Sequence, residues 1–171
     1  ASICEKVGAD ASQVETALRC EPRIGQKAYI RPGAAFAGGT LARDVTFLTT
    51  MAERLNVSVP MLAGIIPSNK AHRDWPLRRT LEHASAGDVV AVLGLAYKPG
   101  TDALRRSVSI ELVRGLLARG IRVRAFDPVV RKLPAELSAV TVCDNALSAS
   151  SGAGVLVVAT DWPEFKDLAV E

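Results

Sequence analysis

Apolar residues recur at helical spacing in the first part of the chain. Residues 1–7 predict a helix that ends at Gly8, because glycine is a common C-terminal cap. Asp10 is placed to cap a second helix, which the turn-forming residues 21–25 end. No capping residue precedes the first helix, so the sequence is expected to be part of a longer protein.

A longer amphipathic helix is predicted after residue 40. Its apolar residues recur at helical spacing, and they are Leu41, Val45, Leu48, Met51 and Leu55. A further helix should begin at Pro60 and run to about Glu82. Pro67 and Pro76 are expected to kink or split it, because a proline inside a helix removes a backbone hydrogen bond.

The second part of the chain changes to short β-branched runs that alternate with helices. Four runs predict strands, at residues 89–94, 123–126, 140–142 and 155–159. A helix is predicted over residues 107–119, and Asp144 is placed to cap a short one. This alternation is typical of a parallel, doubly wound sheet. The expected fold is therefore α/β, with a helical dimerisation segment over residues 1–86 and a Rossmann-like domain over residues 87–171.

Composition narrows the classes of function. The 171 residues are 49% hydrophobic and 23% charged, with a net charge of +3, as in ordinary globular domains. No apolar run approaches the roughly 20 residues of a membrane helix. Arginines are scattered and only 5% of residues are aromatic, which argues against nucleic-acid binding. Cys4, Cys20 and Cys143 form no CxxC pair, so reduced thiols in a cytoplasmic protein are expected, without a metal site.

The segment between the first strand and the next helix is one candidate binding site, since ligands of doubly wound sheets bind beyond the carboxyl ends of the strands. Residues 94–102 are too long for a dinucleotide fingerprint and contain no GxGxxG pattern, so they do not predict an NAD site. Lys98 and Arg105 would face an anion at the helix N-terminus. Asp127 ends the second strand, in the position of a ribose-binding acid. An exposed charged loop is the alternative interpretation.

A glycine-rich loop before the amphipathic helix is the other candidate. Gly33, Gly38 and Gly39 permit backbone conformations and close approaches that other residues do not, and Arg31 and Phe36 flank them. Such a loop can hold a sugar or a phosphate through its backbone N–H groups. A flexible surface loop would show the same pattern.

Several of these segments, taken in order, resemble the UDP-glucose/GDP-mannose dehydrogenase family. The similar segments are residues 4–10, 21–25, 29–33, 36–44, 94–102 with Arg105 and Ser107, and 159–165. That family has an NAD-binding domain, then a helical dimerisation region, then a Rossmann-like domain that binds the nucleotide sugar. The resemblance implies that this chain contains the last two parts, that NAD binds on a domain outside it, and that the chain itself holds no cofactor.

The family's active-site segment reads approximately FGGSCLPKD, and residues 36–44 match it without a gap. Thr40 then stands where the family has a cysteine that attacks an aldehyde intermediate. A gapped alignment places Leu41 there instead, with the same consequence. A threonine hydroxyl is not nucleophilic near neutral pH unless a strong base adjoins it. The thioester chemistry of the family is therefore not expected from this chain.

The resemblance also implies catalytic roles for three other residues. Arg43 stands in the place of a lysine, early in the predicted helix where the helix dipole disfavours a cation, which favours a functional role. Asp44 would orient or activate water. Lys98 would lie near that aspartate, with Tyr97 beside it.

Substrate-binding roles follow from the resemblance as well. Arg23 corresponds to an arginine that reaches the substrate of the partner subunit, and Arg31 with the glycine loop would hold the sugar and the diphosphate. The residues predicted to bind substrate are Arg23, Tyr29, Arg31, Gly33, Phe36, Gly38, Gly39, Tyr97 and Arg105.

Three functional interpretations follow. The chain is part of an NAD-dependent oxidoreductase acting on a nucleotide-diphospho-sugar and is inactive by itself, or it is a non-catalytic module that binds the nucleotide sugar, or its helical half serves mainly to dimerise. A homodimer is expected, with no nucleic-acid or membrane partner. UDP-glucose-like and GDP-mannose-like ligands both remain open, and the spacing of residues 29–33 leans toward the GDP-mannose branch.

Overall fold

The computed structural model describes residues 2–36, 39–166 and 168. The chain forms two compact units, Ala1–Ala34 and Ala35–Glu171. The helices that follow residue 35 therefore belong to the same unit as the sheet, and a domain boundary between residues 86 and 87 stays a prediction. Within the described ranges, none of the helices has the length and apolar character needed to cross a membrane.

The described residues of the first unit, 2–34, form two helices, α1 (Ser2–Val7) and α2 (Ala11–Cys20). Gly8 follows α1 with φ +70°, a left-handed conformation that ends the helix. Asp10 caps α2, because its Oδ1 accepts a hydrogen bond of 2.8 Å from the N–H of Ser12. Both helix predictions are confirmed. Neither helix has a buried residue.

The second unit begins with three helices, α3 (Gly39–Arg54), α4 (Pro60–Arg73) and α5 (Trp75–Leu81). The two prolines in this region have different effects on the helices. Pro67 lies inside α4 without ending it, whereas the chain breaks at Asp74, just before Pro76. Proline fits the first turn of a helix, where its missing N–H needs no partner, so Pro76 marks the start of α5.

The apolar face of α3 is only partly buried in this unit. Val45 and Ala52 are its buried residues, at 4% and 8% exposure. The other large apolar side chains along the helix remain open to solvent, and these are Leu41, Phe47, Leu48 and Met51. Helical spacing thus predicted the helix correctly, but it did not indicate which apolar residues this chain covers by itself.

Among the described residues, the sheet has four parallel strands in the order β3-β2-β1-β4, as predicted for a doubly wound fold. The strands are β1 (Val89–Leu93), β2 (Arg122–Phe126), β3 (Thr141–Val142) and β4 (Val155–Val158). The helices α6 (Val108–Leu117) and α7 (Ala146–Ser150) connect them. The predicted cap of α7 was wrong by one residue, because Asn145, and not Asp144, accepts the hydrogen bond from the N–H of Ser148 (2.7 Å).

Each face of the sheet packs against one of these helices. Residues Val90 and Val92 of β1 point into the larger core with Ile110, Val113 and Leu116 of α6. The other face packs against α7, with a smaller core formed by Leu93, Phe126, Ala146, Ala149 and Phe165. Helix α5 lies against α6 where Leu77 contacts Gly115. The two cores hold the strand ends rigidly, and the candidate site is built on those ends.

Candidate functional site

The carboxyl ends of the three longer strands align at one edge of the sheet. Leu93 pairs in register with Phe126 on one side and with Val158 on the other. The chain moves from β1 to β2 in one direction, while β4 lies on the opposite side of β1. This edge is therefore a topological switch point, where doubly wound sheets bind their ligands.

The loop between β1 and α6, residues 94–106, starts at that switch point. Gly94 has φ +87°, and a Cβ atom there would lie 2.5 Å from Cβ of Thr160 and 2.8 Å from its backbone N. Only glycine allows so close an approach between the chain leaving β1 and the chain leaving β4. The glycine is thus required by the backbone geometry of the site.

Side chains from elsewhere bind every backbone polar group of Leu95 and Ala96. The carbonyl oxygen of Leu95 accepts from Oγ of Ser107 at 2.7 Å, and that of Ala96 accepts from Oγ1 of Thr160 at 2.8 Å. The two N–H groups donate to Oδ2 of Asp127, at 2.7 and 3.1 Å. Because both residues are almost completely buried, these partners replace water and fix the root of the loop.

Asp127 is completely buried, and both of its carboxylate oxygens are occupied. Oδ1 accepts from the N–H groups of Val129 and Val130 at 2.9 and 3.0 Å, and Nε1 of Trp162 lies 3.3 Å from Oδ2. Burial by itself would raise the pKa of this carboxyl group, but the four backbone N–H donors outweigh it and hold the pKa below its usual value. The expectation of a ribose-binding acid is therefore wrong, because both carboxylate oxygens accept from donors within the fold.

The outer part of the loop presents an aromatic ring and cations to solvent. The N–H of Tyr97 donates to the carbonyl oxygen of Ala103 (3.0 Å), which folds the loop on itself. Nζ of Lys98 lies 5.5 Å from the centre of the Tyr97 ring, within cation–π range. Arg105 is exposed on the same loop. The structure thus places the predicted residues Tyr97, Lys98 and Arg105 on one anchored loop.

The loop ends at a residue that sequence reasoning missed. Arg106 has φ +65°, an unusual conformation for a residue with a side chain. A Cβ atom on Gly39 would overlap Nη1 of this arginine, so its guanidinium lies directly against the start of α3. A side chain at position 39 would therefore displace this guanidinium, a contact that no spacing rule predicts. The sequence gave no signal for Arg106 beyond its position next to the predicted residue Arg105.

The predicted catalytic residues of α3 lie on its exposed first turns. Thr40 is the second residue of the helix and is exposed. Arg43 and Asp44 form an ion pair of 3.1 Å, and their side chains are 74% and 55% exposed. Thr40 and Asp44 are four residues apart and therefore share a helix face. The carboxylate of Asp44 already accepts hydrogen bonds of 3.1 Å from Nε and Nη2 of Arg43.

Phe36, another predicted residue of this unit, is held in place by a side chain of α4. Both backbone polar groups of Phe36 bind the side chain of Asn69, whose Oδ1 accepts at 2.9 Å and whose Nδ2 donates at 3.1 Å. Gly38 lies outside the described residues. The role of Asn69 in binding the backbone of Phe36 was not predicted, because no sequence motif surrounds this residue.

A groove of about 900 Å³ runs between α3 and α4. Its apolar part includes Phe36, Phe47, Met51 and Ile66, and its cations are Arg43, Arg54, Lys70, Arg73 and Arg106. Of the predicted residues, Phe36, Gly39 and Arg43 line this groove, whereas Thr40, Asp44, Tyr97, Lys98 and Arg105 are not among the described residues that line it. The predicted residues are thus divided between the groove and loop 94–106.

Arg73 links α4 to α6 at the end of this groove. Its guanidinium binds the carboxylate of Glu111 through two nitrogens, and the Nε to Oε2 distance is 2.6 Å. The hydrogen bond to Glu111 raises the pKa of Arg73 above its already high value. Both side chains are about one-third exposed, so the pair fixes geometry more than it stabilises the fold.

The predicted substrate-binding residues of the first unit are all at its surface. Arg23 donates from Nε to Oε1 of Glu21 at 2.7 Å. Tyr29 is 99% exposed, and Arg31 and Gly33 are exposed as well. Their roles stay predictions.

Comparison with known proteins finds that the chain is similar to part of the nucleotide-sugar dehydrogenases. Residues 1–71 match the central domain of the UDP-glucose/GDP-mannose dehydrogenase family, and residues 91–171 match its UDP binding domain. The UDP-glucose 6-dehydrogenase of Rickettsia conorii is 32% identical over 98% of this chain and 40% of its own length. TuaD of Bacillus subtilis, also a UDP-glucose 6-dehydrogenase, is 30% identical over 98% of this chain and 37% of its own length.

Solved structures agree with these sequence matches. The UDP-glucose dehydrogenase of Pyrobaculum islandicum superimposes with a TM-score of 0.82 at 27% identity, over 97% of this chain and 39% of that one. A GDP-mannose dehydrogenase from Pseudomonas aeruginosa gives 0.68 at 30% identity, over 97% and 41%. This chain therefore spans about two-fifths of the length of the relatives it matches.

Proposed function

The chain belongs to the UDP-glucose/GDP-mannose dehydrogenase family, and from this premise we propose that it binds a nucleoside diphosphate sugar within an NAD-dependent oxidoreductase. The observation that carries the proposal is loop 94–106, which is anchored at the switch point of the sheet and presents Tyr97, Lys98 and Arg105. Cations suit a diphosphate, and an aromatic surface suits a base or a sugar. The relatives are named for UDP-glucose, so a uridine diphosphate sugar is our first candidate ligand.

The sheet of this chain does not fit NAD, so we assign the cofactor to another part of the enzyme. A dinucleotide site needs a short glycine-rich turn that leaves the helix N-terminus free for the pyrophosphate. Here the turn is replaced by loop 94–106, and Ser107 caps α6 by accepting from the N–H of Ile110 (3.4 Å). Asp127, in the position of a ribose acid, is buried and fully occupied. We therefore assign the residues of this chain to the sugar nucleotide and not to the cofactor.

Thr40 bears on how far the oxidation proceeds. We propose that it forms no covalent adduct with a carbonyl intermediate, because a neutral hydroxyl is a poor nucleophile and Asp44 on the same helix face is paired with Arg43. The hydroxyl could still hold a sugar through a hydrogen bond. An oxidation without a covalent adduct would stop at the carbonyl product. Release of substantial uronic acid by the intact enzyme would contradict this part of the proposal.

Thr40 also favours a second candidate function, a nucleotide-sugar-binding module without catalytic activity. The two candidates share a ligand and differ in turnover. NADH formation from NAD and UDP-glucose by the full-length protein would support the enzyme. Tight binding of the sugar nucleotide without any NADH would support the module.

We further propose that the chain functions as a homodimer in the cytoplasm. The exposed apolar residues of α3 give a surface suited to association, and they include Leu41, Phe47 and Leu48. The three cysteines, which are free thiols in the structure, favour a reducing compartment. Light scattering at high micromolar concentration should give twice the mass of 18.1 kDa. A monomer would contradict the dimer.

A thermal-shift panel tests the proposed ligand directly. The chain is heated with UDP-glucose, UDP-N-acetylmannosamine, GDP-mannose or NAD, each at increasing concentration. A ligand at a hundred times its Kd adds roughly 2.7 kcal/mol, a Tm rise of about 5–10 °C for a chain of this size. We expect a rise with one class of sugar nucleotide and none with NAD. A rise in Tm with NAD alone would contradict the proposal, and so would the absence of a rise with every ligand.

A further inference from the structure

We propose that Asp127 is the positioning residue of the nucleotide-sugar site, because its carboxylate holds three ligand-facing segments in one arrangement. The segments follow β1, β2 and β4, the three strands whose carboxyl ends meet at the switch point. The nature of the ligand rests on the proposed function, whereas the positioning role rests on the geometry alone. Asp127 itself contacts no ligand.

Five hydrogen-bond donors from these segments converge on the one carboxylate. Two are the N–H groups of Leu95 and Ala96, two are those of Val129 and Val130, and the fifth is Nε1 of Trp162. A carboxylate has two oxygens and about four lone-pair sites, so it can accept from several donors at once. Its acceptor capacity is filled by groups that are distant in sequence and adjacent only in the fold.

No other side chain of this size could take its place. An asparagine has one accepting oxygen and one NH₂ group, so its NH₂ would face either the Leu95 and Ala96 donors or the Val129 and Val130 donors. One segment would then lose both partners. Leu95, Ala96 and Val130 are 0%, 1% and 4% exposed, so either orientation of the asparagine leaves at least one buried N–H group without a protein acceptor or water. The released segment must move to find other acceptors.

Movement at the root of the loop is transmitted to the residues that face the ligand. Leu95 and Ala96 directly precede Tyr97 and Lys98 in the chain. The two root peptides are otherwise anchored by the hydroxyl groups of Ser107 and Thr160, which bind the carbonyl oxygens. Rotation of either peptide therefore swings the ammonium group of Lys98, and binding is sensitive to displacements of about 1 Å.

The test compares Asp127→Asn with a destabilising control at the opposite edge of the sheet. Leu116 is completely buried in the last turn of α6, where the helix meets the amino ends of the strands, so Leu116→Ala weakens the core without touching a donor to Asp127. Both variants and the wild-type chain are examined by urea unfolding, by calorimetric titration with UDP, and by hydrogen exchange of residues 95–106. Titrations are run where each protein is fully folded.

We expect Asp127→Asn to bind UDP at least tenfold more weakly than the wild type, and Leu116→Ala to bind within twofold of it. Exchange over residues 95–106 should be at least tenfold faster in Asp127→Asn only. Equal losses of affinity in the two variants would show that Asp127 acts only through global stability and would overturn the proposal. Wild-type affinity and exchange in Asp127→Asn would overturn it as well.

One further variant and the exchange data keep the outcome decisive. If Asp127→Asn does not fold, Thr160→Val removes a neighbouring anchor, the bond to the carbonyl of Ala96, without a change of shape. A three- to tenfold loss of UDP affinity with faster loop exchange is then expected, and unchanged values would overturn the proposal. If the wild-type chain itself binds no UDP, the proposed function fails, and the exchange data, which need no ligand, decide the positioning role independently.

Discussion

Replacement of Gly94 by alanine should destabilise the chain more than replacement of any glycine that only adopts a positive φ. The residue has φ +87°, which costs an alanine about 1–2 kcal/mol. The added Cβ would also lie 2.5 Å from Cβ of Thr160 and 2.8 Å from its backbone N. The backbone atoms of Thr160 cannot rotate away as a side chain can, so the overpacking should lower the free energy of unfolding by about 1–3 kcal/mol more. The total is about 2–5 kcal/mol.

Gly120→Ala is the matched control for that experiment. Gly120 has φ +71°, but the nearest atom to an added Cβ is Cβ of Ala86 at 3.7 Å, an ordinary contact. Both variants carry the conformational cost and the same loss of unfolded-state entropy, so their difference isolates the close approach of the two loops. Urea unfolding should show a midpoint for Gly94→Ala below that of Gly120→Ala, with an unchanged slope. Equal midpoints would refute the argument that the segments following β1 and β4 lie too close together at Gly94 to admit a side chain.

Three smaller effects are also expected. In Gly115→Ala the added Cβ would lie 2.5 Å from Cδ2 of Leu77, a methyl group at the end of a side chain that can rotate. The clash should largely cancel the gain in helix propensity, so the free energy of unfolding measured in urea should change by no more than about 1 kcal/mol. A loss above about 3 kcal/mol would mean that α5 cannot adjust. The fold holds the pKa of Asp127 low, so the ionised carboxylate stabilises the folded state fully above about pH 4, and this stabilisation is lost as the pH falls through the folded-state pKa. The stability of Asp127→Asn should therefore fall less steeply with decreasing pH than that of the wild type. The same dependence of stability on acidic pH in both proteins would contradict the assignment. The pair of Arg73 and Glu111, whose side chains are about one-third exposed, should show a coupling of about 0.5–1 kcal/mol in a double-mutant cycle of Arg73→Met and Glu111→Gln. A coupling near zero would mean that the pair does not join α4 to α6.

Local patterns predicted the secondary structure well, because each pattern depends on neighbours in the chain. The strands followed from short β-branched runs, and their parallel order followed from the alternation with helices. Errors arose where the choice depended on packing. Asn145 caps α7 in place of its neighbour Asp144. Of the two effects expected of Pro67, a kink or a split, the split does not occur in α4. Neither difference can be read from residue preferences alone.

The site was less predictable than the fold, because its contacts join distant segments. Asp127 has the sequence position of a ribose-binding acid, yet its partners come from three loops that only the folded sheet brings together. Arg106 was overlooked because a positive φ at an arginine has no sequence signature. Tyr97 and Lys98 were correctly placed on a loop at the sheet edge, since strand order determines where loops emerge.

The most direct test of the account is a heteronuclear NMR titration of the isotope-labelled chain with UDP-glucose. The account predicts saturable shifts at the amides of residues 95–106 and at the indole N–H of Trp162, with smaller changes at the amino ends of the strands. NAD should produce no such shifts. Shifts confined to the groove between α3 and α4, or no shifts at concentrations up to several millimolar, would contradict the claim that loop 94–106 binds the nucleotide sugar.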